Sequence, residues 1–297
     1  MQIVQICRRL ARKSPREILW KGFSALGETD WYWKIHSAKT DRTAYVIGLY
    51  GSGRDYIGEL IQRNLGPRSK YFRSVSGDLR MRRVQTSMIY SGHATIKYPS
   101  IGQASPEVTN ALIQAARSRT ADLIFIYRHP VDSLLTNWIW GLQMDGGSTN
   151  PAYVSQIYKN IDDLCAYLQQ NFSNFRAFAE GDPLWFKGGR APRFLSFQEF
   201  VEETELFRQV ATLALRLEDF TVDPGKEFAK IVEVISANGD SSYSRIDPPK
   251  AKPYKFLAVR KKVPEFSDFL DGLSAETKKS IESCGYALGT AEDQVLR

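Results

Sequence analysis

The sequence predicts an α/β fold, a central parallel sheet flanked by helices, on three observations. Short, nearly continuous apolar runs at residues 43–49 and 122–127 have the composition of strands buried on both faces. Stretches with apolar residues at helical spacing alternate with such runs, and alternation of strand and helix implies parallel pairing with helices on both sides of the sheet. The first run passes through a glycine cluster straight into a helical pattern at Tyr56, Ile57, Leu60, Ile61 and Leu65. The 297 residues are read as one domain, with residues 1–42 a basic N-terminal extension and 240–264 a mobile loop.

The N-terminal stretch carries Arg8, Arg9, Arg12, Lys13, Arg16 and Lys21 against the single acid Glu17. Its apolar run is too short for a signal-peptide core or a membrane span, so the chain is expected to be soluble and cytoplasmic. Ile3, Val4, Cys7, Leu10 and Ala11 share a helical face, which suits a helix packed on the domain or a basic helix resting on the inner membrane surface. A net charge of +7 favours phosphate-bearing partners, but no nucleic-acid-binding motif is present and none is expected as a partner. Cys7, Cys165 and Cys284 lack metal-ligand spacing, so neither a zinc site nor a disulfide framework is expected.

The glycine cluster is the first candidate site. Glycines allow backbone N–H groups to close around an oxyanion, and the following helix adds its positive dipole end. Residues 48–55 fill the frame of the nucleotide-binding P-loop with Gly48 and Gly53 at its glycine positions. Arg54 stands at the lysine position and Asp55 where a magnesium-ligating Ser or Thr would be, so a phosphate loop working without metal is expected.

Farther along, residues 66–84 read as a long basic connection. A second strand is expected at 94–98, with His93 at its edge and Thr95 and Lys97 on the same face. Ser105–Pro106 opens a helix, and the strand 122–127 runs into Arg128, His129 and a Pro130-led helix. His129 is read as a helix cap. A long helix is expected from Asn150–Pro151, carrying Val154, Ile157, Ile161, Leu164, Leu168 and Phe172. Residues 181–193 read as a turn-rich insertion in which Trp185 and Phe186 lie beside Lys187, Arg190 and Arg193. A strand at 213–220, a helix capped by Asp223–Pro224, and a last helix from Ser274 to Gly285 complete the chain.

A strand, glycine loop and helix followed later by a strand ending in RHPVDSLLTNW resembles the sulfotransferases that use phosphoadenosine phosphosulfate, PAPS, whose fold is P-loop NTPase-like. The resemblance implies that the loop of Tyr50, Gly51, Ser52, Gly53, Arg54, Asp55 and Tyr56 wraps the donor's 5′-phosphosulfate. It implies that Arg128 holds the 3′-phosphate with a hydroxyl that falls on Thr136 or, less well aligned, on Ser133. LRLEDFTVDP at 215–224 and SFQEFVE at 196–202 are similar to the family's late strand and the helix before it. Two departures are plain: the family's early basic loop residue is Gly51 here, with Arg54 as its substitute, and the closing C-terminal loop is represented only by the basic stretch 250–262.

The chemistry so implied is in-line transfer of a sulfuryl group, without metal, from PAPS to an acceptor hydroxyl, leaving the bisphosphate PAP. Backbone N–H groups and Arg54 would stabilise the leaving phosphate. The proton acceptor should titrate near neutrality; of His36, His93 and His129, His93 is placed where the family carries a catalytic histidine, with the carboxylates Asp55 and Glu59 as fallback. Aromatics interleaved with cations at 181–193 suit a sugar ring or, equally, an ordinary solvated loop; Trp138, Trp140 and Tyr153 would line the same cleft, although helix-borne aromatics more often belong to the core. The expected acceptor is a glycan or glycolipid in preference to a small-molecule phenol, because the chain lacks the closely spaced, wholly apolar segments that a phenol pocket would draw on. A nucleotide kinase or NTPase with an altered P-loop and a non-catalytic polyanion-binding protein are the alternatives. Oligomeric state is not legible.

Overall fold

A computed structural model describes residues 42–64, 72–73, 80–84, 87–96, 103–104, 106–144, 154, 156–186, 194–235 and 255–286. The expectations for the N-terminal segment, and His36, lie outside the described residues.

Strand β1 (Arg42–Gly48) leads through the glycine turn into α1 (Arg54–Asn64). Then come β2 (Phe72–Arg73), β3 (Arg80–Val84), β4 (Ser87–Ala94) and β5 (Gln103–Ala104). Helix α2 (Pro106–Arg117), β6 (Asp122–Tyr127) and α3 (Pro130–Met144) follow. Helices α4 (Ile161–Glu180) and α5 (Phe197–Val210) precede β7 (Leu213–Arg216). The rest is helical: α6 (Leu217–Val222), α7 (Pro224–Ile235), α8 (Lys255–Lys262), α9 (Glu265–Asp271) and α10 (Ala275–Ser283). The sheet runs β2-β3-β4-β1-β6-β7, with β5 beside β4. Pairing is parallel across β4, β1, β6 and β7, and antiparallel where β3 joins β2 and β4.

The alternation of side chains along β1 and β6 explains both layers. Ala44, Val46, Ile124 and Ile126 meet Ile57 and Leu60 of α1 and Phe228 and Ile231 of α7. Ile47, Leu123 and Phe125 point the other way, onto Leu134, Leu135 and Trp138 of α3 and Phe207 of α5. Phe125 stacks on Phe207 with ring centroids 5.1 Å apart. Each such fully buried side chain contributes about 1.5–3 kcal/mol, so the two layers fix the heights of the strand ends where the loops begin.

Several expectations are corrected. The basic connection 66–84 contains strands β2 and β3; RMRRV carries no apolar alternation, and its place comes from pairing with β4. The second strand lies at Ser87–Ala94, ahead of the expected 94–98, so His93 stands at its carboxyl end and Thr95 beyond it. The helix expected from Asn150 is interrupted: residues 154, 156 and 157 are helical, and α4 starts afresh where the Asn160 side chain accepts from the Asp162 N–H at 2.9 Å. The strand read at 213–220 stops at Arg216, and the acids Glu218 and Asp219 begin α6. Residues 255–262 of the expected mobile loop are helix α8, whereas 240–254 lie outside the described residues. Ser274 caps α10 as expected, accepting from Thr277 N–H at 3.1 Å.

Candidate functional site

The carboxyl ends of β1, β4, β6 and β7 lie on one edge of the sheet, the edge where open α/β folds bind ligands. After β1 the chain turns through Tyr50, Gly51, Ser52 and Gly53. Gly51 and Gly53 have φ of 76° and 84°, the left-handed region that a side chain disfavours. A Cβ on Gly51 would also stand 2.5 Å from the Ser133 carbonyl oxygen, so no basic side chain fits where the resembled family has one. Helix α3 holds the loop from that side, and Asn137 Nδ2 donates to the Tyr50 carbonyl at 3.2 Å. The Tyr50 ring stacks on Trp140 at 5.5 Å. Ser52 is buried and its Oγ has no hydrogen-bond partner among the described residues; Arg54, the first residue of α1, is buried as well.

At the end of β6 the Arg128 guanidinium donates to Thr136 Oγ1 and to the Asp132 carbonyl, and lies 4.8 Å from the centre of the Phe256 ring. The structure thus joins Arg128 to Thr136, one turn beyond Ser133, whose Oγ is buried beneath the glycine loop without a partner among the described residues. Arg128 Nε likewise has none among them. The Asp132 carboxylate, 0% exposed, accepts from Arg260 Nε at 2.8 Å. Arg260 belongs to the basic stretch singled out near the C-terminus.

His129 caps α3 through its backbone, its carbonyl accepting the Asp132 and Ser133 N–H groups at 3.0 and 3.1 Å. Its ring is buried edge-on to Tyr286 at 5.0 Å, with no hydrogen-bond partner on either nitrogen among the described residues. Burial, reinforced by Arg260 and Arg128, holds its pKa well below the usual histidine value. The His129 N–H donates to Glu218 Oε1 at 2.9 Å, and Tyr286 Oη donates to the other oxygen at 3.1 Å. Burial pushes the Glu218 carboxyl up.

His93 pairs in register with Gly48, so its backbone stands beside the start of the glycine loop. Just past it, the buried Glu203 of α5 accepts from Thr95 Oγ1 at 2.8 Å and from the Ile96 N–H at 3.1 Å. Asp55 and Glu59 lie in the first two turns of α1. Sequence reasoning missed Asn137, Glu203 and Glu218. The acidic pair at 218–219 was a signal for the last, but Glu203 meets Ile96 across 107 residues with no local mark.

The expected acceptor aromatics divide. Trp185 is 5% exposed and packs against Phe178 at 4.9 Å, and Trp138 is fully buried with Nε1 donating to Asn174 Oδ1 at 2.8 Å. Both are core residues. Trp140 is half-buried beside the loop; Tyr153, Lys187, Arg190 and Arg193 lie outside the described residues. Among the described residues no helix is long and apolar enough to cross a membrane, and no cluster of three His, Cys, Asp or Glu side chains is arranged to hold a metal ion.

No protein-family model matches the chain, and no curated protein matches it. Among solved structures it is similar to mouse sulfotransferase SULT7A1 complexed with PAP, at 12% identity and a TM-score of 0.31, over 78% of this chain and 67% of that one. A likeness of that size carries no argument about activity, which must come from the residues themselves.

Proposed function

We propose that the protein is a PAPS-dependent sulfotransferase acting on a hydroxyl of a carbohydrate or glycolipid in the cytoplasm, with its basic N-terminus turned toward an anionic membrane surface. The observation that carries this reading is the meeting of Arg128 and Thr136 at the carboxyl end of β6, the strand next to the one that feeds the glycine loop. An arginine fork backed by a hydroxyl suits a phosphate. The buried Ser52 Oγ and Arg128 Nε, without a hydrogen-bond partner among the described residues, have the donor chemistry that an oxyanion would satisfy.

The donor supplies an activated sulfuryl group. In this reading the backbone of residues 50–56 and Arg54 hold the phosphosulfate end and stabilise the charge left on phosphate, Arg128 and Thr136 hold the 3′-phosphate, and the basic α8 region closes over it. His93 takes the proton of the acceptor hydroxyl, with Asp55 and Glu59 the carboxylates nearest in the chain to the loop. The half-buried Tyr50 and Trp140 rings flank the acceptor side. A magnesium-dependent phosphotransferase is disfavoured because Asp122 opens β6 and stands at the wrong end of the strand to hold a metal beside the loop.

Calorimetric titration with PAP, without added metal and beside ATP with magnesium, tests the reading. Micromolar or tighter binding of PAP, weakened about a hundredfold or more by Arg128→Ala, is the expected result. Binding of ATP–magnesium in place of PAP would replace it with a phosphotransferase. Binding of PAP with no turnover of PAPS on any hydroxyl acceptor would mark a polyanion-binding protein.

A further inference from the structure

The two halves of the candidate site, the glycine loop and the arginine end of β6, are touched by two consecutive residues of a third element. Leu217 and Glu218 open α6, directly after β7. Leu217 packs over Gly53 so closely that a Cβ there would overlap its side chain. Glu218, one residue on, accepts the His129 N–H at 2.9 Å through one oxygen and the Tyr286 hydroxyl at 3.1 Å through the other. His129 follows Arg128, and its carbonyl receives the first two helical bonds of α3, the helix that carries Thr136. The peptide from which the Arg128 side chain departs is therefore tethered through Glu218.

Desolvation opposes the charge of the half-buried Glu218 carboxylate, a cost that its contacts must offset. Its charge also opposes an anionic ligand nearby. The geometry points to a positional role that outweighs this: we propose that Leu217–Glu218 is a clasp that sets the separation of the glycine loop from Arg128, with Glu218 the positioning residue. The proposal rests on the donor reading above for its functional meaning, and on the contacts alone for its mechanics. The span matters because a donor with phosphates at its 5′ and 3′ ends must be met by both halves at once.

The clasp separates shape from charge. In Glu218→Gln the amide oxygen still accepts the His129 N–H, and the amide nitrogen donates to Tyr286 Oη, which can accept. In Glu218→Ala both contacts are lost. Calorimetry with PAP, well below the melting temperature of each variant, should show Glu218→Gln within about threefold of the parent and Glu218→Ala weakened about tenfold or more. Hydrogen exchange on the ligand-free full chain should show faster exchange in Glu218→Ala at both 49–57 and 128–136, with Glu218→Gln near the parent. Equal weakening by both variants would make the charge, and not the position, the cause. Faster exchange at 128–136 alone would mean that 217–218 does not couple the halves, and would overturn the clasp. If the parent itself failed to bind PAP, the donor reading would fall while the exchange result still decided the clasp.

Discussion

The carboxyl ends of β6 and β4 flank β1 on its two sides, and they are held in different ways. At the β6 end, Arg128 and Thr136 lie eight positions apart on continuous chain, and partners from far away, Arg260, Phe256 and Glu218, gather around them. At the β4 end, His93 pairs with Gly48 of β1 on one side and with Gln103 of the two-residue strand β5 on the other, and the chain just beyond it is bonded to Glu203 of α5. The first end is a local motif reinforced by distant charge. The second is assembled by pairing and one long-range clamp. In the proposed reading a phosphate-holding group benefits from the first arrangement because a short run of chain sets its geometry; the second places the proposed base at a strand end set by pairing and by Glu203.

Breaking the β6 end should cost most. Arg260→Ala leaves the Asp132 carboxylate, 0% exposed, without its guanidinium and is expected to destabilise by about 3–5 kcal/mol in denaturant unfolding. The double variant Asp132→Asn with Arg260→Ala should recover a large part of that. A loss below about 1 kcal/mol in the single variant would show that the pair behaves as an exposed one. At the β4 end, Glu203→Ala strands the Thr95 hydroxyl and the Ile96 N–H and should cost about 1–3 kcal/mol. Equal losses at the two ends would erase the contrast.

The contrast sharpens on ligand binding. Thr136→Val should weaken PAP by about tenfold, or about 1.4 kcal/mol, whereas Ser133→Ala, whose hydroxyl has no partner among the described residues, should change it by less than about threefold. The opposite ranking would return the 3′-phosphate hydroxyl to Ser133.

The smallest effect is linked to pH. His129 is held neutral by burial, with its folded pKa below the unfolded one, so below the unfolded value the unfolded chain binds the extra proton. Its contribution is thus intact above about pH 6.5 and is lost as pH falls toward the folded value. The slope is at most about 1.4 kcal/mol per pH unit for one proton. Glu218 acts with the opposite sign, since its folded pKa is raised: its contribution is present at low pH and is lost as pH rises through that folded value. Unfolding measured between pH 5 and 7 should show a shallower acid loss in His129→Phe than in the parent; an unchanged slope would mean that the ring is not the group responsible.

How far each end was legible follows from the same contrast. Strands β1 and β6 have parallel neighbours on both sides, so their apolar runs, the glycine turn and the Pro130 start of α3 could be read from composition alone. Arg128 with Thr136 came within reach only through the resemblance, because Arg128 follows β6 and Thr136 lies inside α3, so no periodicity of one element joins them. Arg80–Val84 could not be read as a strand, because nothing in RMRRV alternates and its structure is conferred by β4. The same ambiguity displaced the strand of His93. Trp185 looked like a binding aromatic among cations, but its ring fills the space over Gly141, a fact that depends on α3 and α4 meeting. The capping residue Asn160 outcompeted Asn150–Pro151 as the start of α4 by accepting a backbone N–H at the true helix end.

The bond between Arg260 and Asp132 spans 128 positions of chain. On a ribosome adding about 5–20 residues per second, Asp132 is made roughly 6–26 s before its guanidinium partner exists. Through that interval the growing chain can bring β1, β6 and the glycine turn together, but the Asp132 carboxylate lacks this guanidinium. Closure of the β6 end is therefore a late event in biosynthesis, timed by the arrival of α8.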